Sequence, residues 1–347
     1  MTQNESELAN RTRWDGSRRG HYEVYFFKLN HLESGHALWI RFTLLASNNP
    51  EVKSTAEVWG VFFHAADPEQ HLALRMAIPL TEAEISHDQF HFRIGNCWLS
   101  HQESRGRIDG ERGSLEWDLR FFSESPCFRY FPYSWMYERK WPRTKILAPH
   151  PHAAFTGEFQ INQNTYRCQN SPGSQEHVWG SEHARRWVWA NCLSFKDNPG
   201  CELHAFSSEV RWAGIDLPRA TIVRFNYRGH VVLLNKVSDW FSIHSRFEPF
   251  FWYFMGRQGK RGYVGEVSVG ASNMIGVQYK DPDGQRVFCY NTEIANLKVK
   301  VFERRGGSWG KVDELVSEHT TAFEYAQRLP VSRIPIHLIA GKLPGDK

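Results

Sequence analysis

Short runs of apolar and aromatic residues, broken by Gly, Asn, Asp and Pro, recur along all 347 residues of this chain. Some runs alternate apolar with polar residues, which places the apolar side chains on one face of a strand, and others are apolar on both faces. Examples are HYEVYFFKL (21–29), ALWIRFTLLA (37–46), SLEWDLRFF (114–122) and NLKVKVFE (296–303). Strands at this spacing, separated by turn signals, are typical of an all-β sandwich or barrel. The 24 Phe and 14 Trp favour the same interpretation, because large aromatics fit pleated, half-buried surfaces.

Few segments indicate helices. LTEAEISH (80–87) is long enough for about two helical turns. KVDELVSEHTTAFEYAQRL (311–329) is a second candidate, although its HTTAFEYA portion also fits a strand. The sequence therefore predicts an antiparallel β protein with few short helices.

The length favours two compact units on one polypeptide. A loop-like segment, QNSPGSQ (169–175), lies near the middle and separates two strand-rich halves of similar size. We therefore predict a polar N-terminal segment (1–20), a first lipocalin-like barrel (21–172) and a second one (173–347).

Charge and cysteine content restrict the partners and the compartment. The net charge of +4 is spread along the chain with no basic run, which argues against a nucleic-acid partner. The six cysteines form no C-x-x-C pair and are expected to be buried thiols. The polar N-terminus does not resemble a secretory signal, and no apolar stretch is long enough to span a membrane. We predict a cytoplasmic protein and leave open both peripheral membrane contact and the oligomeric state.

Three strands of the first half carry charged residues between aromatics: Glu23, Arg41 beside Trp39, and Glu57 beside Trp59. If these faces point inward, the three charges form a network within a barrel, where each needs the others as partners. If they point outward, much aromatic surface is exposed. A barrel wall packed on both sides accommodates both sets. We predict these three residues as further substrate-binding candidates.

The segment His177–Phe195, HVWGSEHARRWVWANCLSF, is called the central motif below. Read as a strand, it places Trp187, Trp189 and Asn191 on one face. Two tryptophans at this spacing form a flat aromatic shelf that could bind a planar or polyene ligand or stabilise a carbocation. The structural alternative is that they close the seam between two domains.

The ionisable residues of the central motif, His177, Glu182 and His183, are catalytic candidates. Their spacing matches no established metal site, and His150 and His152 are weak additional ligands, so we predict no metal. A histidine or carboxylate beside tryptophans is desolvated and has a shifted pKa, which suits general acid–base catalysis. The alternative is that the histidines only hydrogen-bond the backbone. No nucleotide-binding or nucleophile-elbow motif is present in the sequence.

PHPHAAFTGEFQINQNTYRC (149–168) followed by the central motif resembles the junction region of the tocopherol cyclase and carotenoid hydratase-like superfamily. In that superfamily a strand pair leads to a WG turn and a Trp-rich strand that ends in N-x-x-F. The residues that match this pattern are Trp179, Gly180, Trp187, Trp189 and Asn191. The paired histidines and the ARR sequence before Trp187 depart from it.

This resemblance implies two lipocalin-like β-barrels side by side and activity without metal or nucleotide on hydrophobic isoprenoid- or polyketide-like molecules. Our hypothesis is a cofactor-independent enzyme that hydrates or cyclises an alkene, or promotes a cycloaddition, in an aromatic-lined cavity. Glu182, His183 or His177 would transfer the proton. Trp179, Trp187 and Trp189 would bind the substrate and stabilise the cation, and Asn191 would orient a polar substituent. The alternative hypothesis is a non-catalytic carrier of a lipid or pigment, which needs the aromatic wall but no acid.

Overall fold

The computed structural model describes residues 3–212, 215–216, 218–240 and 242–345. Two large curled antiparallel sheets dominate these residues, which confirms the predicted all-β class of two lipocalin-like barrels side by side. The α-helices are α1 (Gln3–Asn10), α2 (Trp135–Glu138) and α3 (Val237–Trp240). Single 3-10 turns lie at Pro68–Gln70, Leu80–Glu82 and Ala271–Asn273. None of the described helices is long and apolar enough to cross a membrane.

The first sheet contains the first twelve strands of the chain, in the order β4-β3-β2-β1-β12-β11-β9-β8-β7-β6-β5, with β10 beside β11. Their bounds are β1 His21–His31, β2 His36–Ala46, β3 Thr55–Phe63, β4 Leu72–Pro79, β5 Glu84–Ile85, β6 His91–Ile94, β7 Cys97–Ser100, β8 Glu103–Gly110, β9 Gly113–Phe122, β10 Phe128–Arg129, β11 Thr144–Ile161 and β12 Asn164–Gly180.

The second sheet has the order β18-β17-β14-β13-β24-β23-β21-β20-β19, and β22 pairs with both β23 and β25. The β22–β25 contact is parallel, whereas the other pairs in this sheet are antiparallel. The bounds are β13 Arg186–Cys192, β14 Glu202–Glu209, β17 Ala220–Tyr227, β18 His230–Leu234, β19 His244–Glu248, β20 Phe251–Gln258, β21 Arg261–Ser268, β22 Ile275–Lys280, β23 Arg286–Arg305, β24 Ser308–Gln327 and β25 Ile336–Ile339. A separate ribbon joins β15 (Arg211–Trp212) to β16 (Ile215–Asp216).

Strands β1–β3 form a wall that is packed on both sides. Every residue of β1 is buried. One face of the wall, which includes Phe27 and Phe42, belongs to the core inside the first sheet. The other face, which includes Phe26 and Trp39, packs against the second sheet in an apolar seam. The aromatic excess in this region therefore reflects two cores that share one wall.

The segment Gln169–Gln175, predicted as a loop, is part of strand β12, so that prediction is wrong. Its turn-like residues mark a β-bulge: the register with β11 shifts so that Asn170, at φ 59°, has no opposite partner. Gly173 is needed because a side chain there would collide with the Lys28 carbonyl of β1. Strand β12 continues beyond residue 172 and pairs with β1 up to Gly180. The division of the chain into folding units at 172 stays a prediction.

Both helix candidates are wrong. Residues 311–327 belong to β24, which pairs along its length with β23 and, near its end, with β13. The alternative strand interpretation of HTTAFEYA is the correct one, because cross-strand packing of its aromatic residues outweighs their helix propensity. Residues 80–87 form only a 3-10 turn and the two-residue strand β5.

Candidate active site

A cavity of about 320 Å³ lies in the seam between the two sheets. Strands β1, β2, β11 and β12 line one side of it, and β13, β14 and β24 line the other. Most of the wall is apolar, with Val24, Phe26, Ile146, Val178 and Phe206 among its residues. A largely apolar cavity with a few polar side chains is the usual form of a site for a hydrophobic small molecule.

Trp187 and Trp189 both line this cavity, as alternation along β13 predicts. The opposite face of β13 packs into the core of the second sheet. The Trp187 Nε1–H donates to Glu324 at 2.5 Å, and the Trp189 Nε1–H donates to the Tyr130 hydroxyl at 2.9 Å. The aromatic shelf therefore lies in the seam between the sheets, so the cavity and seam interpretations describe the same place.

His183 lines the cavity directly after β12 and forms a pair with Asp281. Its Nδ1–H donates to the Asp281 carboxylate at 2.6 Å, and its backbone N–H donates to the same oxygen at 2.9 Å. The ring stacks on Tyr22, with centroids 4.1 Å apart, and on Trp187, at 5.5 Å. The imidazole is therefore held in one orientation, and its Nε2 makes no hydrogen bond to any of the described residues.

Asp281 also forms an ion pair with Arg328, which donates to the second carboxylate oxygen at 2.6 Å. The same guanidinium donates to the His183 carbonyl at 2.6 Å. Burial by itself would raise the pKa of Asp281, but His183 and Arg328 outweigh this effect and hold the pKa below its ordinary value. The carboxylate therefore stays ionised and orients the imidazole.

Glu324 of β24 also lines the cavity. Burial raises the pKa of Glu324 above its ordinary value, while the bond from Trp187 and the charge of Arg41 oppose that rise. A carboxyl group whose pKa is raised by burial beside an aromatic shelf is a candidate general acid. Sequence reasoning missed Glu324 and Asp281. A strand interpretation of residues 320–327 could have found Glu324, whereas Asp281 lies in an ordinary turn sequence, DPDG.

Glu182 lies at the rim of the cavity, with its side chain 34% exposed and paired with Arg143. Gly180 lets β12 come close to the Arg143 backbone, because any side chain at position 180 would collide with the Arg143 carbonyl. The Ser181 N–H donates to the same carbonyl at 3.0 Å. The role of Gly180 is therefore close approach between β12 and the start of β11.

His177 and Trp179 do not line the cavity. His177 is fully buried on the first-sheet side, where Nε2 lies 2.8 Å from Glu23 and Nδ1 lies 2.7 Å from the Ala9 carbonyl. Trp179 packs beneath the Arg13 guanidinium, 5.1 Å from the ring centroid. The structure thus places His177 and Trp179 outside the cavity that His183 lines, although the three residues lie close together in the sequence.

The other predicted site residues also lie in different places: they are Arg41, Glu57, Glu23 and Asn191. Antiparallel pairing places Arg41 opposite Phe26 and Trp59, so Arg41 faces the cavity, and Glu57 lies on that same side of the wall but outside the cavity. Glu23 is opposite Leu44 and faces the first core. The network of all three charges does not form. Asn191 is buried next to His204, 3.1 Å from its ring, and does not reach the cavity.

His177 and His183 also lie in different environments, so they do not share a site. Within the described ranges no three His, Cys, Asp or Glu side chains are grouped as a metal centre would require.

Residues 133–325 match the family model described as tocopherol cyclase-like, and the chain belongs to this family. An uncharacterised protein of Mycobacterium tuberculosis is 23% identical over 314 residues, which is 86% of each chain. Kievitone hydratase from Nectria haematococca is structurally similar with a TM-score of 0.51 and 7% identity, over 94% of this chain and 92% of that one. CghA has a TM-score of 0.49 at 10% identity, over 89% of this chain and 88% of that one. At these identities the structural similarity concerns the fold alone.

Proposed function

We propose that this chain is a cofactor-independent enzyme of the hydratase or cyclase type, acting on a hydrophobic unsaturated molecule of isoprenoid or polyketide character. Glu324 is the proton donor, His183 oriented by Asp281 is the base, and Trp187 and Trp189 stabilise positive charge. The observation that carries the proposal is that an acid and an oriented histidine face the same apolar cavity beside the tryptophans. Membership of a family named after a cyclase, and the fold shared with a hydratase, fit this proposal.

The reaction begins with proton transfer from the Glu324 carboxyl to one alkene carbon. Burial raises the pKa of Glu324 and so favours the protonated carboxyl that this step needs. The neighbouring carbon becomes cationic, and the π faces of Trp187 and Trp189 stabilise it. The apolar wall keeps bulk water away from this cation.

Two outcomes are then open to the cation. In hydration a water molecule adds to it and loses a proton to His183 Nε2. In cyclisation a second alkene or a hydroxyl of the substrate attacks the cation, and the proton that is released passes to the same nitrogen. Return of the proton from His183 to the Glu324 carboxylate restores the enzyme. Acid, base and cation stabilisation are all supplied by side chains.

The second candidate function is a carrier of a hydrophobic molecule in the same cavity, which the apolar wall would also support. A carrier has no use for a buried acid and an oriented base. The placement of Glu324 and His183 therefore favours the enzyme.

The experiment is incubation in D₂O with a panel of isoprenoid and polyketide alkenes, read by mass spectrometry. Protonation at carbon leaves one deuterium on a C–D bond in either reaction, whereas a carrier leaves none. We expect Glu324→Gln to reduce incorporation by about 10²- to 10⁴-fold. The matched control is Glu314→Gln on the same strand, where Glu314 pairs with Lys311 at 3.2 Å outside the cavity. Equal incorporation by Glu324→Gln and wild type would contradict the acid assignment.

A further inference from the structure

Arg41 is a buried cation on the cavity wall. Its side chain projects from β2, the residue is 4% exposed, and it lines the cavity. The guanidinium carbon lies 4.0 Å from the Tyr279 ring centroid and 4.9 Å from that of Trp59. Its NH1 nitrogen is buried and has no hydrogen-bond partner among the described residues. The aromatic rings hold the guanidinium in place but do not neutralise its charge.

Glu57, on the adjacent strand, does not supply the missing hydrogen bond. Its carboxylate accepts from the Thr55 hydroxyl at 2.9 Å, from Trp59 Nε1 at 2.8 Å, from Arg75 at 3.2 Å and from the Gly341 N–H at 2.6 Å. Four donors saturate the two carboxylate oxygens. The negative charge of Glu57 is matched by Arg75.

The other two carboxyl groups near Arg41 are also committed. Asp281 is paired with Arg328 and His183. Glu324 accepts from Trp187 Nε1, and burial raises its pKa although the charge of Arg41 opposes that rise. Glu57 is thus paired with Arg75 and Asp281 with Arg328, whereas Arg41 forms no ion pair with any of the described residues.

A buried, unpaired cation is strongly unfavourable unless an anion forms an ion pair with it. A water molecule could satisfy the hydrogen bond of NH1 but not the charge. A guanidinium binds a carboxylate in bidentate geometry, which supplies both the hydrogen bonds and the opposite charge. We infer that the natural ligand of the cavity is a hydrophobic acid whose carboxylate binds Arg41 while its apolar body lies along the tryptophans.

This inference names the substrate class for the cavity of the proposed function, but its test does not require turnover. The probes are dodecanoate and 1-dodecanol, which differ only in the head group. Binding is measured by titration calorimetry and by quenching of tryptophan fluorescence. We expect wild type to bind dodecanoate about 10-fold or more tightly than dodecanol, the preference that a charge-assisted hydrogen bond provides.

Arg41→Gln should abolish this preference and leave the affinity for dodecanol unchanged. Arg41→Lys keeps the charge without the planar fork, so it should retain part of the preference. The control is Arg186→Gln. Arg186 also stacks on aromatics, 4.7 Å from the Phe247 centroid, but it is paired with Glu209 and Glu248 and does not line the cavity.

Equal affinity of wild type for the two probes would overturn the inference, as would a full acid preference in Arg41→Gln. Circular dichroism establishes that each variant is folded. If Arg41→Gln does not fold, Arg41→Lys is the deciding variant. An unchanged preference of Arg41→Lys for dodecanoate over dodecanol overturns the inference. Neither result affects the deuterium experiment on Glu324, so failure of the acid-binding inference and failure of the proposed reaction are distinguishable.

Discussion

The central motif contains two histidines six residues apart, and each is paired with a carboxylate in a different environment. His177 and Glu23 are both fully buried within the first sheet. His183 and Asp281 form the wall of a cavity between the sheets. The comparison separates a pair buried within one sheet from a pair that lines a cavity, where we propose that it takes part in chemistry.

The difference lies in which atoms are already engaged. Besides His177, Glu23 accepts from the backbone N–H groups of Arg13 at 2.7 Å and Trp14 at 2.9 Å and from the Tyr25 hydroxyl at 2.7 Å. Both ring nitrogens of His177 are also bonded. In the second pair Asp281 accepts from Nδ1 and the backbone N–H of His183, and none of the described residues hydrogen-bonds to Nε2. A histidine–carboxylate pair in which both ring nitrogens are hydrogen-bonded stabilises the chain around it. A pair in which one ring nitrogen is not bonded can exchange a proton.

The largest expected effect is on turnover. His183→Asn keeps a polar side chain but removes the base, and we expect kcat to fall by about 10²- to 10⁴-fold. His177→Asn should leave the turnover of folded molecules near the wild-type value, because its ring is sealed from the cavity. The measurement is kcat for a substrate identified in the deuterium experiment, corrected for the folded fraction by circular dichroism. A collapse of turnover in folded His177→Asn would reverse the roles assigned to the two pairs.

The second effect is on stability. Glu23→Gln leaves His177, His21 and two backbone donors without their charged partner, and we expect the free energy of unfolding to fall by about 3–5 kcal/mol. Urea denaturation measures the change. As a control, Glu158→Gln removes an exposed ion pair with Arg167 at 3.9 Å and should cost about 0–1 kcal/mol. Similar losses in the two variants would show that the buried pair does not stabilise the fold.

The third effect is a pH dependence. Burial alone would raise the pKa of Glu23, but hydrogen bonds from His177 and His21 hold it well below the ordinary value of 4.5. The stability that this carboxylate contributes is thus complete above about pH 4.5 and is lost as the pH falls further, because the unfolded chain binds the proton first. Between pH 5 and 3, Glu23→Gln should lose stability less steeply than wild type, by up to about 1.4 kcal/mol per pH unit. Parallel curves for the two proteins would contradict this assignment.

The smallest effect concerns Glu182, which lies between the two histidines in the sequence. Its side chain is partly exposed and pairs with Arg143 at the rim. Glu182→Gln should therefore change stability by less than about 1 kcal/mol and leave kcat close to wild type. The test is to measure the steady-state kinetics of Glu182→Gln and His183→Asn in the same experiment. A loss of turnover as large as that of His183→Asn would make Glu182 a catalytic residue, as the sequence alone suggested.

Much of this site can be predicted from local pattern. Alternation along β13 placed Trp187 and Trp189 on one face, and the aromatic density of β1–β3 indicated a wall packed on both sides. Glu324 and Asp281 were not predicted. Glu324 reaches the shelf because β24 pairs with β13 in a register that sets it opposite Trp189. Asp281 reaches His183 across 98 positions of sequence, and nothing local to its turn indicates that contact.

The sequence by itself determined the class of the fold, the residues that share a strand face and the family, because these follow from side-chain alternation and from residues close together in the chain. Only the tertiary structure decided which histidine meets the cavity and which carboxylate meets each histidine. Those contacts depend on the register between strands that are distant in sequence, and a register shift of one residue would turn each side chain to the opposite face.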